Sequence, residues 1–255
     1  MSCLCADFTD VLNDDAVLLY TQYSTQWDSL AHYGCEFDAD GDGVAEQVYY
    51  NGFKGGSDIL GPHDGGPQAR ALGIENLATA GVQGRGVLVN LLAPYGKNRT
   101  IVGYDGLMRA MESQRLEIKT GDFLCLYTGF ADLLLGMGKK PDVSLLAKSC
   151  AALDGGDQKL LNWISNSGIV AICADNSAVE HFDGERMLRK DKRYASLPLH
   201  EHCLFKRGIH LGELWFFRDL ANWLEQNQRS SFLLTAPPLR LPGSVGSPAT
   251  PVATV

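Results

Sequence analysis

The 255-residue sequence lacks the features of several large protein classes. It has no apolar run of roughly 18 residues, so no membrane-spanning helix is expected. Its first ten residues, MSCLCADFTD, have neither a basic region nor an apolar core, so they do not resemble a secretory signal peptide. Positive charge is in deficit, with a formal net charge of −8 and a pI of about 5.2. An acidic surface repels phosphate backbones, so we expect no nucleic-acid partner, and the lack of a long apolar run predicts no membrane partner.

Cysteine is present without any pairing pattern. The seven cysteines are an odd number, and none forms a C-x-x-C motif. Cys125 and Cys173 stand inside apolar runs, where a free cysteine packs as a small hydrophobic residue. The sequence therefore predicts a cytoplasmic protein without a disulfide framework.

Four common functional motifs are absent or incomplete. No G-x-S-x-G elbow occurs, which disfavours a serine hydrolase of that type. GVQGRG (81–86) lacks the glycine spacing of a dinucleotide-binding turn, and APYGKNRT (93–100) lacks the first glycine of a phosphate loop. DADGDGVAE (38–46) opens like a calcium loop but places Tyr49 where a bidentate Glu belongs, so we predict an ordinary polar turn.

Short apolar runs alternate with helical patterns along the chain. Five continuous runs predict strands buried on both faces: 16–21, 86–92, 122–128, 168–174 and 231–236. Helical spacing predicts three helices: 104–114, 157–165 with Asp157 as the N-cap, and 218–228. The final residues, TPVATV, predict an edge strand. This alternation is typical of a mixed α/β protein, and we expect a single domain over residues 1–255.

Candidate ligands are concentrated in LHEHCLFKRGIHLGELW (199–215), which contains His200, Glu201, His202, His210 and Glu213. Polar groups among so many apolar neighbours need partners when they are buried. A single histidine taken alone more often bridges buried backbone groups. Together with Asp28 and His32 of TQWDSLAH (25–32), however, the segment indicates a site.

The chemistry of such a site depends on ligands that come from separate elements. A divalent metal needs carboxylate and imidazole ligands and an open position for water, and it lowers the pKa of that water. We predict Asp28, His200 and Glu213 as the metal ligands. His32 is then the candidate proton carrier, and Trp27 is either a pocket residue or a core residue.

The motifs resemble those of the putative cyclase family, which includes bacterial kynurenine formamidases and isatin hydrolases. The family motif H-x-G-T-H-x-D-x-P-x-H corresponds to QYSTQWDSLAH (22–32), where Thr25, Asp28 and His32 match. The two metal-binding histidines of the motif are replaced by Gln22 and Gln26. A second element, a histidine followed by a Gly and a Glu, matches at 200–213, and further echoes occur at 121–130, 172–180 and 238–253.

The resemblance carries expectations about structure and chemistry. It implies a swivelling β/β/α domain, that is, a barrel-like mixed sheet with flanking helices, in a homo-oligomer. It also implies an arylformamidase-like hydrolase that acts on a small aryl amide or lactam, as in tryptophan catabolism. One divalent ion, Zn or Mn, would bind Asp28, His200 and Glu213, with Gln22 and Gln26 as weak or outer-shell partners. His32 would be the general acid and base.

Three further expectations remain open at this point. Trp27 and Tyr33 would line the substrate pocket. Family members with this Gln-Trp-Asp version of the motif look longer at the N-terminus, whereas about 20 residues precede the motif here, so we expect either a shortened form or a misplaced start. The alternatives to a hydrolase are a metal-free lyase or cyclase of the same fold and a non-catalytic protein that binds a small molecule.

Overall fold

The computed structural model describes residues 9–182 and 194–255. Over these residues the chain forms fourteen strands: β1 Gln26–Asp28, β2 Cys35–Phe37, β3 Glu46–Val48, β4 Ile59–Leu60, β5 Gln68–Ala69, β6 Gln83–Asn90, β7 Thr100–Val102, β8 Phe123–Tyr127, β9 Ala151–Leu153, β10 Ala171–Ala174, β11 His210–Glu213, β12 Ser231–Thr235, β13 Gly246–Pro248 and β14 Val252–Thr254. The same residues form eight helices: α1 Ile74–Ala80, α2 Leu92–Tyr95, α3 Tyr104–Ser113, α4 Phe130–Gly136, α5 Val143–Ala147, α6 Gln158–Ser167, α7 Pro198–His200 and α8 Arg218–Gln226.

The main sheet has eight strands in the order β13-β1-β11-β10-β8-β6-β12-β14 and curls into a half-barrel. Its centre, β6, β8, β10 and β11, is parallel. The flanking strands are antiparallel, with β1 and β13 on one side and β12 and β14 on the other. This is the barrel-like mixed sheet with flanking helices that the resemblance implies.

Both faces of the central strands are buried. In β8, Leu124 and Leu126 face a core formed with α3 and α6, while Phe123 and Cys125 face a core formed with α1 and α8. Because side chains alternate along a strand, a continuous apolar run supplies two cores at once. The prediction of strands buried on both faces is therefore confirmed for the centre of the sheet.

Four of the five predicted strands form, with shifted ends, as β6, β8, β10 and β12. The predicted strand at 16–21 is wrong, because residues 9–20 have no regular structure in this chain. Val17 and Leu18 are exposed there, at 79% and 96%. An apolar run becomes a strand only where another strand bonds to it, and nothing in the described part of the chain pairs with this one.

The predicted helices and the C-terminal strand are confirmed. The Asp157 carboxylate accepts hydrogen bonds from the backbone N–H groups of Lys159 and Leu160, so it caps α6. The strand predicted in TPVATV is β14, at the edge of the sheet. Among the described residues, no helix is long and apolar enough to cross a bilayer.

The five described cysteines are free, in keeping with the expected absence of a disulfide framework. Cys3 and Cys5 lie outside the described residues, as do most of the ten N-terminal residues considered above as a signal peptide.

Candidate metal centre

Two adjacent strands position the acidic residues of the site. β1 runs antiparallel to β11, with Gln26 opposite Glu213. Since alternate side chains share a face, Gln26, Asp28 and Glu213 project from the same face of the sheet. Trp27, between two of them, projects from the other face.

His200 reaches this face from a helical turn. It ends α7, and the chain continues as a π-helical turn over Glu201–Arg207, a wide turn that is frequent at functional sites. The Glu180 carboxylate accepts hydrogen bonds from the His200 ring Nδ1 and backbone N, both at 2.8 Å, and from the Leu199 backbone N at 3.0 Å. A proton held on Nδ1 leaves the lone pair of the neutral ring on Nε2.

The three side chains converge on one point inside the protein. The His200 Nε2 atom lies 3.2 Å from Glu213 Oε1 and 3.8 Å from Asp28 Oδ2. One ligand atom from each residue falls within 4.8 Å of the others. Asp28, His200 and Glu213 are 0%, 2% and 6% exposed. The predicted metal ligands are therefore brought together in a buried site.

The oxygen atoms at this point lack hydrogen-bond donors. Both carboxylate oxygens of Asp28 and Oε1 of Glu213 are buried without a hydrogen-bond partner in the described structure. The 3.2 Å approach of His200 to Glu213 is thus a close contact without hydrogen-bond alignment. Two buried carboxylates that share one imidazole and have no hydrogen-bond donor at these oxygens are costly, and a cation removes that cost. Two carboxylates and an imidazole also suit Zn²⁺ or Mn²⁺.

Without a metal ion, the charges and the burial of the site raise the pKa values of two of its side chains. Burial opposes charge on the His200 ring, but Glu180, Glu213 and Asp28 outweigh it and raise the pKa of His200 to about 10. Burial, reinforced by the Asp28 charge, raises the pKa of Glu213 to about 7. A metal ion has to displace these protons, because its ligands bind in their deprotonated forms.

The raised pKa values predict opposite pH trends for the metal-free and metal-loaded protein. A raised folded-state pKa stabilises the fold at low pH, and that stability is lost as the pH rises. Glu213 shifts from 4.5 to about 7 and His200 from 6.5 to about 10, so the metal-free protein should lose stability from pH 4.5 upward through pH 10. Metal affinity should rise over the same range.

Thermal melting across pH, with a chelator and with Zn²⁺, checks this expectation. Glu213→Gln should flatten the decline below about pH 7 in the metal-free protein. A metal-free protein whose melting temperature rises between pH 6 and 9 would contradict the assignment of these shifts.

The other predicted residues of the motif lie next to the three ligands. The His32 and Tyr33 rings have centroids 6.4 Å and 5.7 Å from the His200 ring. Gln26 donates to Glu213 Oε2 at 3.2 Å and to Gln22 Oε1 at 2.8 Å. The structure thus places His32, Tyr33, Gln22 and Gln26 around the candidate metal centre.

Trp27 does not join this group. Its ring is fully buried, packs edge-on against Trp215, and donates from Nε1 to the Ala236 carbonyl oxygen. It also borders a separate cavity of about 300 Å³ together with His210, whose Nδ1 lies 2.8 Å from the Asp28 carbonyl oxygen. Trp27 is therefore a core residue on the opposite face, not a wall of the pocket beside the ligands.

Two other candidates from the ligand-rich segment lie away from the centre. His202 bonds to Ser165 Oγ at 2.9 Å, and Glu201 pairs with Lys206 at 2.9 Å. By contrast, Glu180 was not singled out by the sequence motifs, although it orients His200. In the sequence, the only indication of Glu180 is that it is an acidic residue at the end of a segment, 172–180, that resembles the family.

The calcium-like segment forms an exposed acidic turn. Asp38, Asp40, Asp42 and Glu46 bring ligand atoms within 4.8 Å of one another. Their carboxylates accept hydrogen bonds from backbone N–H groups of the same turn. Such bonds are what a polar turn uses to satisfy its backbone.

The fold and the buried centre together define an α/β protein with a candidate site for a divalent metal. The chain belongs to the family described as "Putative cyclase", whose model matches residues 5–181, more than half of the chain. The match includes Asp28 and His32 and ends before His200 and Glu213. A search of curated proteins found no match.

Solved structures agree with this assignment. A structure described as a novel cyclase has 28% sequence identity and a TM-score of 0.77, covering 98% of this chain and 74% of its own. Isatin hydrolase A from Labrenzia aggregata has 12% identity and a TM-score of 0.57, covering 91% and 73%. A predicted metal-dependent hydrolase from Bacillus stearothermophilus has 14% identity and a TM-score of 0.52, covering 96% and 83%. The last two show likeness of fold alone.

Proposed function

We propose that the protein is a metal-dependent hydrolase that acts on a small aryl amide or lactam in an arylformamidase-like reaction. The observation that carries this proposal is the set of three buried carboxylate oxygens without donors, two of which lie within 3.8 Å of His200 Nε2. Stability alone does not favour such an arrangement, since apolar residues in these positions would cost less. A bound cation would compensate the charge of the buried carboxylates and so account for the arrangement.

One divalent ion, Zn or Mn, fits the residues that are present. Asp28, His200 and Glu213 would hold it, with Glu213 using Oε1, because Oε2 accepts a hydrogen bond from Gln26. The Glu180–His200 hydrogen bond has the form that orients metal-binding histidines. When bound, the ion would supply Lewis acidity, acidifying a water molecule and polarising a carbonyl group.

The remaining chemistry falls to residues beside the ligands. Amide hydrolysis joins a water oxygen to the carbonyl carbon, breaks the C–N bond and delivers one proton to the leaving nitrogen. His32 is the residue that we propose meets the substrate. It has two possible roles: a general acid and base that carries the proton of the water to the nitrogen, or a hydrogen-bond donor to the carbonyl oxygen.

The proposed substrate class rests on the neighbours and on one aromatic side chain. Two proteins of similar fold are named isatin hydrolase and metal-dependent hydrolase. Tyr33 lies beside His200 and is partly buried, so it offers a surface against which an aryl group packs. A role in tryptophan catabolism, a homo-oligomeric state and a cytoplasmic location complete the proposal.

Hydrolysis is tested with protein loaded with Zn²⁺ or Mn²⁺ and a panel of an aryl formamide, isatin and an aliphatic formamide. We expect turnover of an aryl compound and a loss of about 100-fold or more in kcat for His32→Ala, the range of a proton-transfer or oxyanion contact. His63→Ala is the matched control, because His63 is exposed and distant in sequence from the ligands.

The alternatives give different results in the same experiment. Turnover without any bound metal would indicate a lyase or cyclase of this fold. Metal or ligand binding without turnover on any panel member would indicate a binding protein. A His32→Ala variant that is as active as the His63→Ala control would remove His32 from the mechanism.

A further inference from the structure

A chain of side-chain hydrogen bonds links the candidate metal centre to His32. Gln26 Nε2 donates to Glu213 Oε2 at 3.2 Å and to Gln22 Oε1 at 2.8 Å. Gln22 Nε2 in turn lies 3.1 Å from His32 Nδ1. The two glutamines therefore connect a metal ligand to the residue proposed to meet the substrate.

Glu213 determines which groups donate and which accept along this series of hydrogen bonds. A carboxylate that binds a metal is ionised and only accepts hydrogen bonds. Turning the Gln26 amide over would place its carbonyl oxygen against Glu213 Oε2, so the amide presents its N–H groups there. Gln22 must then offer its oxygen to Gln26, which leaves its own N–H groups for His32. The Val245 carbonyl oxygen, 3.5 Å from Gln22 Nε2, favours the same orientation.

The consequence for His32 concerns where its proton sits. A neutral imidazole has one N–H and one lone pair. Because Nδ1 accepts from Gln22, the lone pair is on Nδ1 and the proton is on Nε2. Among the described residues, no protein group bonds to His32 Nε2, and the ring is half-buried. The available ring nitrogen is thus a hydrogen-bond donor.

We propose that Gln22 and Gln26 hold His32 in the tautomer with its proton on Nε2, so that His32 is a neutral hydrogen-bond donor to the substrate carbonyl oxygen rather than a general base. This proposal extends the proposed function, and its statement that His32 donates to a substrate rests on that function. A base needs a free lone pair, and the only one on the ring faces Gln22. A neutral imidazole that donates to a developing oxyanion is an established catalytic device. Gln22 and Gln26 are then positioning residues.

The tautomer is measured directly by ¹⁵N NMR of the histidine side chains, without any turnover. At about pH 8.5, where free imidazole is neutral, we expect a lone pair on His32 Nδ1 and a proton on Nε2, in both metal-free and Zn²⁺-loaded protein. Gln22→Glu replaces the donor with an acceptor of the same shape, so the proton should move to Nδ1. The change in tautomer ratio should be about fivefold or more, the bias that one hydrogen bond provides.

Two further variants make the result decisive. Gln22→Met removes the donor and keeps the volume, so it should give a mixture of tautomers even if Gln22→Glu fails to fold. Gln158→Glu, on the exposed surface of α6, is the control and should leave His32 unchanged. A wild-type protein with the proton on Nδ1, or variants at Gln22 with an unchanged ratio, would overturn the proposal. Absence of amide turnover together with the expected tautomer would count against the proposed hydrolase and leave the hydrogen-bond chain standing.

Discussion

Asp28→Asn is expected to abolish the stabilisation that a divalent ion gives to this protein while the chain stays folded. Asp28 is fully buried, and neither of its oxygens has a hydrogen-bond donor, so its charge acts on His200, Glu213 and His210 and is available to an ion. An ion at about 100 times its Kd stabilises a fold by about 2.7 kcal/mol. Loss of one charged ligand should weaken binding by at least about 100-fold and so remove nearly all of that effect. Melting curves with and without Zn²⁺ or Mn²⁺ measure it, alongside the metal content of the purified protein.

The exposed acidic turn supplies the matched control. Asp38→Asn removes one carboxylate from a cluster whose ligand atoms are also within 4.8 Å of one another but lie on the surface. We expect Asp38→Asn to keep the ion-dependent rise in melting temperature. If Asp38→Asn loses that rise and Asp28→Asn keeps it, the ion binds at the surface turn, and the candidate metal centre is not a metal centre.

The sheet was predictable where burial acts on both faces of a strand. The run at residues 122–128 is mostly apolar without alternation, which favours a strand buried on both faces of a parallel sheet, so its pattern is informative. The run at 16–21 has a similar composition, yet residues 9–20 form no regular structure. The apolar composition of a segment indicates how much its burial would stabilise the fold. Whether the segment forms a strand depends on a neighbouring strand, which its own sequence does not specify.

The candidate site was likewise predictable in part: its ligands could be predicted from the sequence, whereas the direction of some side chains could not. Asp28, His200 and Glu213 were predictable from motif spacing and do converge. The position of Trp27 was not, because no strand was predicted at 26–28. Once that strand is known, alternation alone sends Trp27 to the face opposite Asp28. A short strand of three residues carries too little periodicity to be recognised from sequence.

Glu180 could not be assigned from sequence because its role depends on a contact across 20 residues of chain. Its carboxylate accepts three hydrogen bonds, two from backbone N–H groups of Leu199 and His200 and one from the His200 ring. No spacing rule links a carboxylate to the backbone of a distant helical turn. The structure alone shows that Glu180 positions His200, a candidate metal ligand, through its backbone N and its ring Nδ1.

Glu180→Gln is therefore expected to weaken metal binding by about 10- to 100-fold, the usual cost of losing the partner of a metal-binding histidine. The amide keeps one acceptor oxygen but turns an N–H group toward a backbone donor, so the His200 ring is held less firmly. Glu180→Ala should in addition lower the free energy of unfolding by about 2 to 5 kcal/mol, because it leaves the buried Leu199 and His200 N–H groups without an acceptor. Chelator competition measures the Kd, and denaturant unfolding of the metal-free protein measures stability.

The pH dependence of the metal affinity distinguishes a loss of His200 positioning from a general loss of structure. The hydrogen bond from His200 to the Glu180 carboxylate is one cause of the raised pKa of His200, so weakening it also makes that proton easier for a metal to displace. The loss of affinity in Glu180→Gln should consequently be larger at pH 9, where proton competition is weak, than at pH 6.5, where it is strong. Glu225→Gln, on the exposed face of α8, should behave as wild type at both values. Equal losses at the two pH values would show that Glu180 supports the fold without tuning His200, and wild-type affinity would show that His200 needs no partner to bind the ion.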